Sequence, residues 1–163
     1  SPSPTYAADA QERLEQLRGL LRRVPNLPSW RGKPACEDDN LLWWFLQDRR
    51  LDVADSAEKL QHCLDWRHKF RVDKLGPELF QREMRSRKAY LHKHLDVVGR
   101  PVLVAVAQRH SVLDRRFEES CQMCAWFMEQ MLDRLDTVPP PSAGLPQRSS
   151  EATEQALGIF DLR

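Results

Sequence analysis

The sequence is poor in the motifs on which most catalytic sites depend. It contains only six glycines in 163 residues, and none of them stands in a loop of the kind that cradles phosphate. Neither G-x-S-x-G nor H-E-x-x-H occurs, so the usual signatures of serine hydrolases and zinc peptidases are missing. No apolar run approaches the roughly 20 residues of a membrane-spanning helix. We therefore expect no enzymatic activity and no cofactor.

The four cysteines offer little chemistry of their own. Cys121 and Cys124 form a C-x-x-C pair, but a structural zinc site needs four ligands and no second C-x-x-C accompanies this one. The pair lies about one turn inside a predicted helix and beside acidic side chains, which opposes thiolate formation. We interpret both as small apolar residues on the inner helix face and expect no metal. Zinc or thiol chemistry remains a third hypothesis.

The net charge of +1 hides a basic middle segment. Residues 66–116 hold thirteen Lys and Arg against five Asp and Glu, which gives +8. Such a segment suits an anionic membrane surface or nucleic acid, and a solvated helix face is the plainer alternative. Tyr90 is the only aromatic residue in the basic run at 82–94, too few for stacking on single-stranded bases. We therefore expect no nucleic-acid partner.

A run of apolar residues at 102–107, VLVAVA, is the clearest strand signal. It does not alternate with polar residues, and it is too short for a buried helix. The run therefore predicts a strand buried on both faces, in a sheet covered on both sides. Gly99 suits the turn before it, and Pro101 stands where the ladder has not yet begun.

Apolar residues at helical spacing predict helices through most of the remaining chain. The predicted helices are an amphipathic helix over 8–24, two helices that begin at Asp38 or Asp39 and at Asp52, a short helix over 78–86 and a long helix over 117–136. A second strand is predicted at 157–163, LGIFDLR. The proline-rich segment at 137–150 is predicted to be an exposed loop. The long helix would connect the two strands as a right-handed parallel crossover.

Three segments resemble the CRAL-TRIO (Sec14-like) family. The helical segment at 39–67, DNLLWWFLQDRRLDVADSAEKLQHCLDWR, is similar to the family's N-terminal helices. LHKHLDVVGRPVLVAVA at 91–107 resembles the start of its lipid-binding domain, and GIFDLR at 158–163 resembles the next strand. The matching residues are Phe45, Leu46, Arg49, Leu51, Asp52, Val53, Ala57, Leu60, Trp66, Arg67, Asp96, Gly99, Arg100, Pro101 and Val102. The sequence of these segments is most similar to that of green-plant members.

The resemblance implies an α/β fold in which an all-helical N-terminal subdomain precedes an incomplete Sec14-like domain of first strands and a crossover helix. We expect an N-terminal helix and connector at 1–37, the family's helical segment at 38–90, and the truncated start of the lipid-binding domain at 91–163. Because the chain begins at Ser1 and shows no secretion signal, we expect a processed form or a fragment.

The function implied by the resemblance is non-enzymatic binding, with transfer between membranes or presentation, of a phospholipid or another small hydrophobic ligand, as in phosphatidylinositol transfer. Candidate walls of the lipid pocket are Val102, Val104, Val106, Phe127, Met128, Ile159 and Phe160. Candidate residues for docking to a membrane surface are Arg82, Arg85, Arg87, Lys88 and Lys93. The alternative is a protein-interaction or membrane-docking module without bound lipid, which would use the leucine-striped helix at 8–24.

Oligomeric state and location follow from general features only. We expect a monomer in the cytoplasm or at the membrane periphery, because four cysteines without evident pairing suit a reducing compartment. The similarity to plant members leaves a chloroplast location open as an alternative.

Overall fold

The protein was analysed as a computed structural model, which describes residues 4–111, 113, 116–135 and 155–162. These residues form two compact units, one ending at Asp73 and the other beginning at Lys74. The helices are α1 (Pro4–Arg22), α2 (Asp39–Asp48), α3 (Val53–Phe70), α4 (Gln81–Arg85) and α5 (Phe117–Leu132), and the strands are β1 (Ala89–Leu91), β2 (Val102–Val106) and β3 (Leu157–Asp161). The loop predicted at 137–150 lies outside the described residues.

The first unit is a three-helix arrangement built on the predicted apolar stripes. Leu14, Leu17 and Leu21 of α1 are fully buried because their spacing places them on one helix face. They belong to one core cluster with apolar side chains of the other two helices, namely Leu41, Leu42, Trp43, Phe45, Leu46, Ala57, Leu60 and Leu64. The leucine stripe at 8–24 is therefore buried inside its own unit and does not form a surface for a partner.

Both predicted helix caps are confirmed. The Asp38 carboxylate accepts a hydrogen bond from the backbone N–H of Leu41 at 3.0 Å, and that of Asp52 accepts one from Asp55 at 2.8 Å. Each carboxylate thus satisfies an N–H that has no partner within its helix. Of the two aspartates proposed for the start of α2, Asp38 is the cap.

At the end of the family-like helical segment, Trp66 is exposed and Arg67 is buried. Arg67 is buried, with its guanidinium 4.3 Å from the centroid of the Trp30 ring and 3.2 Å from the Asp73 carboxylate. Trp66 is exposed and stacks on Phe70 at 5.3 Å between ring centroids. Arg67 thereby joins α3 to the connector before α2 through a cation–π contact.

The second unit contains a three-stranded sheet in the order β1-β2-β3. β3 is parallel to β2, and the long helix α5 lies between them in sequence, which confirms the predicted pair of strands and their crossover helix. β1 pairs antiparallel to β2 and was not predicted. The register places Val104 beside both Tyr90 and Ile159.

Helix α5 covers one face of this sheet. Phe80, Met123 and Phe127 form a buried cluster against which Leu91 and Leu103 pack. The prediction that the strand is buried on both faces is wrong for the described residues, because only Val102 of β2 is buried and its other four residues are half-buried. The apolar run reflects a strand with two apolar faces, of which α5 covers one.

The turn between β1 and β2 is organised by Asp96. One of its carboxylate oxygens accepts hydrogen bonds from the backbone N–H groups of Val98 at 3.0 Å and Arg100 at 2.8 Å, and the other accepts one from the Arg100 guanidinium at 2.7 Å. Gly99 has a φ of 86°, a conformation that side-chain-bearing residues rarely adopt. The family-like D-x-x-G-R sequence is thus a turn motif.

Replacing Asp96 by alanine should loosen this turn without unfolding the unit. The hydrogen bonds from Arg100 and Val98 hold the pKa of Asp96 below its usual range, so its contribution is present at neutral pH and is lost as the pH falls through that lowered pKa. Amide hydrogen exchange at Val98 and Arg100 should become roughly fivefold to tenfold faster at neutral pH. Asp96→Asn, which keeps an acceptor oxygen, is the milder control, and unchanged exchange in both variants would contradict this role.

Candidate functional site

The apolar face of the sheet opposite α5 is the candidate site. Side chains alternate along a strand, and cross-strand partners share a face. Since Leu103 packs toward α5, its neighbour Val104 points to the other side, together with Tyr90 and Ile159 beside it. We call this surface the open face; its seven side chains are those of Tyr90, Val102, Val104, Val106, Leu157, Ile159 and Asp161.

The open face combines aliphatic character with incomplete burial. Tyr90 and Ile159 are 43% and 46% exposed, while Val104, Val106 and Leu157 are half-buried. None of the seven belongs to the buried helix–sheet cluster of the described residues. Five are aliphatic, Tyr90 adds one hydroxyl group, and Asp161 adds a carboxylate at the end of the face, beside Val106. Contiguous apolar surface with a few polar groups has the chemistry of a site for a hydrophobic ligand or partner.

The structure brings together four of the seven predicted pocket residues. Val102, Val104, Val106 and Ile159 all lie on the open face. Their assignment to a lipid pocket stays a prediction. Tyr90, Leu157 and Asp161, which complete the face, were missed because neither the unpredicted strand β1 nor the strand register can be read from local sequence.

The other three predicted pocket residues lie elsewhere. Phe127 is buried in the cluster between α5 and the sheet, where it packs against Phe80 and Met123. Phe160 is exposed and, by strand alternation, belongs to the same side of β3 as Gly158. Met128 is an exposed residue of α5. None of these three shares the open face.

The predicted docking residues differ in their exposure. Arg82, Arg85, Arg87 and Lys93 are exposed. The Lys88 side chain is only 11% exposed, and its ammonium forms an ion pair with the carboxylate of Glu83. A membrane role for these residues stays a prediction, and Lys88 already has a partner inside the unit.

Glu83 is the centre of a buried polar cluster. Its side chain is 3% exposed and accepts a hydrogen bond from the Ser120 hydroxyl at 2.9 Å and one from the backbone N–H of Arg116. Burial acts to raise the pKa of Glu83, and the hydrogen bonds from Lys88 and Ser120 outweigh it, so the pKa lies below its ordinary value. The cluster joins α4 to the N-terminal end of α5. A negative charge is favourable there because of the helix dipole.

The prediction that both cysteines lie on the inner helix face is wrong for Cys124, which is exposed, whereas Cys121 is half-buried. Partial burial of the thiol, followed by the neighbouring Cys121, raises the pKa of Cys124, which disfavours the reactive thiolate. Within the part of the chain that the structure describes, no three His, Cys, Asp or Glu side chains group as metal ligands would. Over the same residues, no helix combines the length and apolar character of a bilayer span.

Two comparisons with known proteins fit this geometry. Residues 84–163 match the family described as the CRAL/TRIO domain, a region that includes all three strands and α5. Over 103 residues the chain is 32% identical to Patellin-6 of Arabidopsis thaliana, a match that covers 61% of this chain and 24% of that protein. The chain therefore spans about a quarter of the length of this relative.

Proposed function

We propose that this chain, which belongs to the CRAL/TRIO family through residues 84–163 and is similar to a plant relative, binds a phospholipid or another small hydrophobic ligand against the open face. The observation that carries the proposal is the contrast between the two faces of the sheet. On one face, Leu91 and Leu103 of β1 and β2 pack against the α5 cluster, while the other face leaves Ile159 and Tyr90 partly exposed.

The physical basis of binding would be burial of acyl-chain surface. Removing a methylene group from water contributes roughly 0.8 kcal/mol when burial is complete. A row of valines and isoleucine offers such contact without polar groups that would have to lose their hydration. Binding of this kind requires no bond making or breaking, so we propose a non-enzymatic carrier.

The finer proposal is transfer of the ligand between membranes, or its presentation at one, in the manner of phosphatidylinositol transfer. A carrier must meet a membrane transiently, and the exposed cations Arg82, Arg85, Arg87 and Lys93 could attract anionic headgroups. We propose a monomer in the cytoplasm or at the membrane periphery. None of the four cysteines, all of which the structure describes, forms a disulfide, which suits a reducing compartment; a chloroplast location is the alternative.

Two neighbouring residues of β3 provide a matched test. Ile159 belongs to the open face and Phe160 to the opposite side, and both are exposed. Ile159→Asp should reduce the lipid that co-purifies with the chain by about tenfold, because it places a charge against the ligand. Phe160→Asp should leave it nearly unchanged. The measurement is organic extraction of the purified protein followed by lipid mass spectrometry.

Lipid retention in Ile159→Asp together with loss in Phe160→Asp would reject the open face as the site. If the unmodified chain carries no lipid, the alternative of an interaction or docking module without bound lipid would move ahead.

A further inference from the structure

The tip of the β1–β2 hairpin presents an unusual concentration of exposed aliphatic side chains. Val97 is 102% exposed, and Leu95 and Val98 are exposed beside it. Turns of this kind are generally built from polar residues, glycine and proline. Isolated exposed aliphatic residues are ordinary on a protein surface, but three within four residues at a protruding turn form a local apolar patch. We call these three residues the apolar tip.

The apolar tip stands on a well-organised turn. The two backbone N–H groups bonded to Asp96 belong to Val98 and Arg100, and the backbone N–H of Asp96 itself donates to the carbonyl of Arg100 at 2.9 Å. The N–H of His92 donates to the carbonyl of Val102 at 2.8 Å and continues the β1–β2 ladder. Because these bonds hold the backbone, the valines can meet another surface without a large loss of chain entropy.

Positive charge surrounds the base of the hairpin. Lys93 is exposed, and the Arg134 guanidinium donates to the carbonyl of His92 at 3.0 Å, which holds a second cation there. Within the segment that connects β1 and β2, residues 92–101, the one carboxylate is that of Asp96, and it is paired with Arg100 at 2.7 Å. Its charge is therefore balanced and repels an anionic surface little.

We propose that the apolar tip inserts into an anionic bilayer surface, with Leu95, Val97 and Val98 at the boundary between headgroups and acyl chains. Lys93 and Arg134 would then lie at the level of the lipid phosphates. A convex apolar tip above cations suits a fluid bilayer, which deforms around it, better than a protein surface, which would need a matching pocket. The inference deepens the proposed function, on which it rests, by naming the surface that meets the membrane.

This surface differs from the docking residues predicted from sequence. Of those five cations, only Lys93 belongs to the hairpin, and the apolar tip adds a contribution that does not depend on charge. Electrostatic attraction weakens as salt is added, whereas apolar insertion does not. The two contributions can therefore be measured separately.

The test is co-sedimentation of the purified chain with vesicles of phosphatidylcholine, with and without one-fifth phosphatidylserine. The double variant Val97→Asp/Val98→Asp should bind both kinds of vesicle about tenfold more weakly or worse, because two aliphatic contacts are replaced by charges. Lys93→Glu should weaken binding only to the vesicles that contain phosphatidylserine. Leu113→Asp is the matched control, because Leu113 is 101% exposed and lies outside the hairpin.

Val97→Trp tests whether binding can be strengthened, since tryptophan is favoured at the membrane interface. It should bind more tightly than the unmodified chain and should add emission that brominated lipids quench. Equal binding by the double aspartate variant and the unmodified chain would overturn the inference. A failure of the unmodified chain to bind any vesicle would also overturn it and would favour a protein partner for the tip.

The lipid carried in solution separates this inference from the proposed function. A double aspartate variant that retains co-purified lipid but loses vesicle binding supports insertion of the tip. If the same variant binds vesicles normally, and Ile159→Asp loses its lipid, the tip inference fails while the open face stands as the ligand site.

Discussion

Phe80→Ala should lower the free energy of unfolding of the second unit by about 3–5 kcal/mol, the usual cost of removing a buried aromatic side chain. Phe80 is completely buried and joins the turn before α4 to Met123 and Phe127 of α5. Its ring centroid lies 5.9 Å from that of Trp126. Alanine would leave a cavity among these side chains, which cannot all move in to fill it.

The loss should be measured within the second unit, because a chain of two units need not unfold in one step. Native-state amide exchange at Leu103 and Ala105 of β2 would report it locally. Leu79→Ala is the matched control, because Leu79 is the neighbouring residue and is exposed; its effect should stay within about 0.5 kcal/mol. Comparable losses in both variants would show that Phe80 does not hold α5 to the sheet.

The features that the sequence predicted well are those specified by nearby residues. Leu14, Leu17 and Leu21 show helical spacing within eight positions, and Asp38 and Asp52 are caps whose bonds span three residues. The parallel pair of strands was also predicted, because an apolar run, a long amphipathic helix and a second short run allow few other connections. Each of these signals is local or follows from simple topology.

The features that were missed depend on residues distant in the chain. β1 is only three residues long and has no alternation that would identify it, so it forms because β2 offers a partner. In VLVAVA neither face is marked by polar residues, and the sequence cannot tell which face α5 will cover. The open face could not be separated from the core until the register placed Val104 between Tyr90 and Ile159.

Charge in the sequence also proved different from charge available at the surface. Lys88 belongs to the basic run, yet its ammonium is paired with buried Glu83. In the sequence, Val97 and Val98 only precede Gly99 in a predicted turn. Their exposure at the hairpin tip indicates an apolar patch because the Asp96 hydrogen bonds hold the turn in one conformation. A count of basic residues therefore overstates the charge available for the proposed docking and does not reveal the apolar tip.

Glu83→Gln should destabilise the second unit by about 3–5 kcal/mol at neutral pH, because it leaves the Lys88 ammonium inside the unit without its counter-charge. Glutamine keeps the side-chain shape and one acceptor oxygen in place of two, so it removes the charge of the ion pair and leaves one oxygen to accept from Ser120 or Arg116. The double variant Glu83→Gln/Lys88→Met removes both charges and should be more stable than Glu83→Gln alone. Thermal unfolding of the unmodified chain, Glu83→Gln, Lys88→Met and the double variant measures the coupling.

The pH dependence supplies an independent check on this pair. The pKa of Glu83 is lowered in the folded protein relative to about 4.3 in an unfolded chain, so its contribution is complete above that value and is lost as the pH falls through the folded pKa. The stability difference between the unmodified chain and Glu83→Gln should therefore be constant above about pH 5 and shrink below about pH 4. A difference that persists unchanged into acid would mean that Glu83 acts through packing, and the ion pair with Lys88 would not be what fastens α4 to α5.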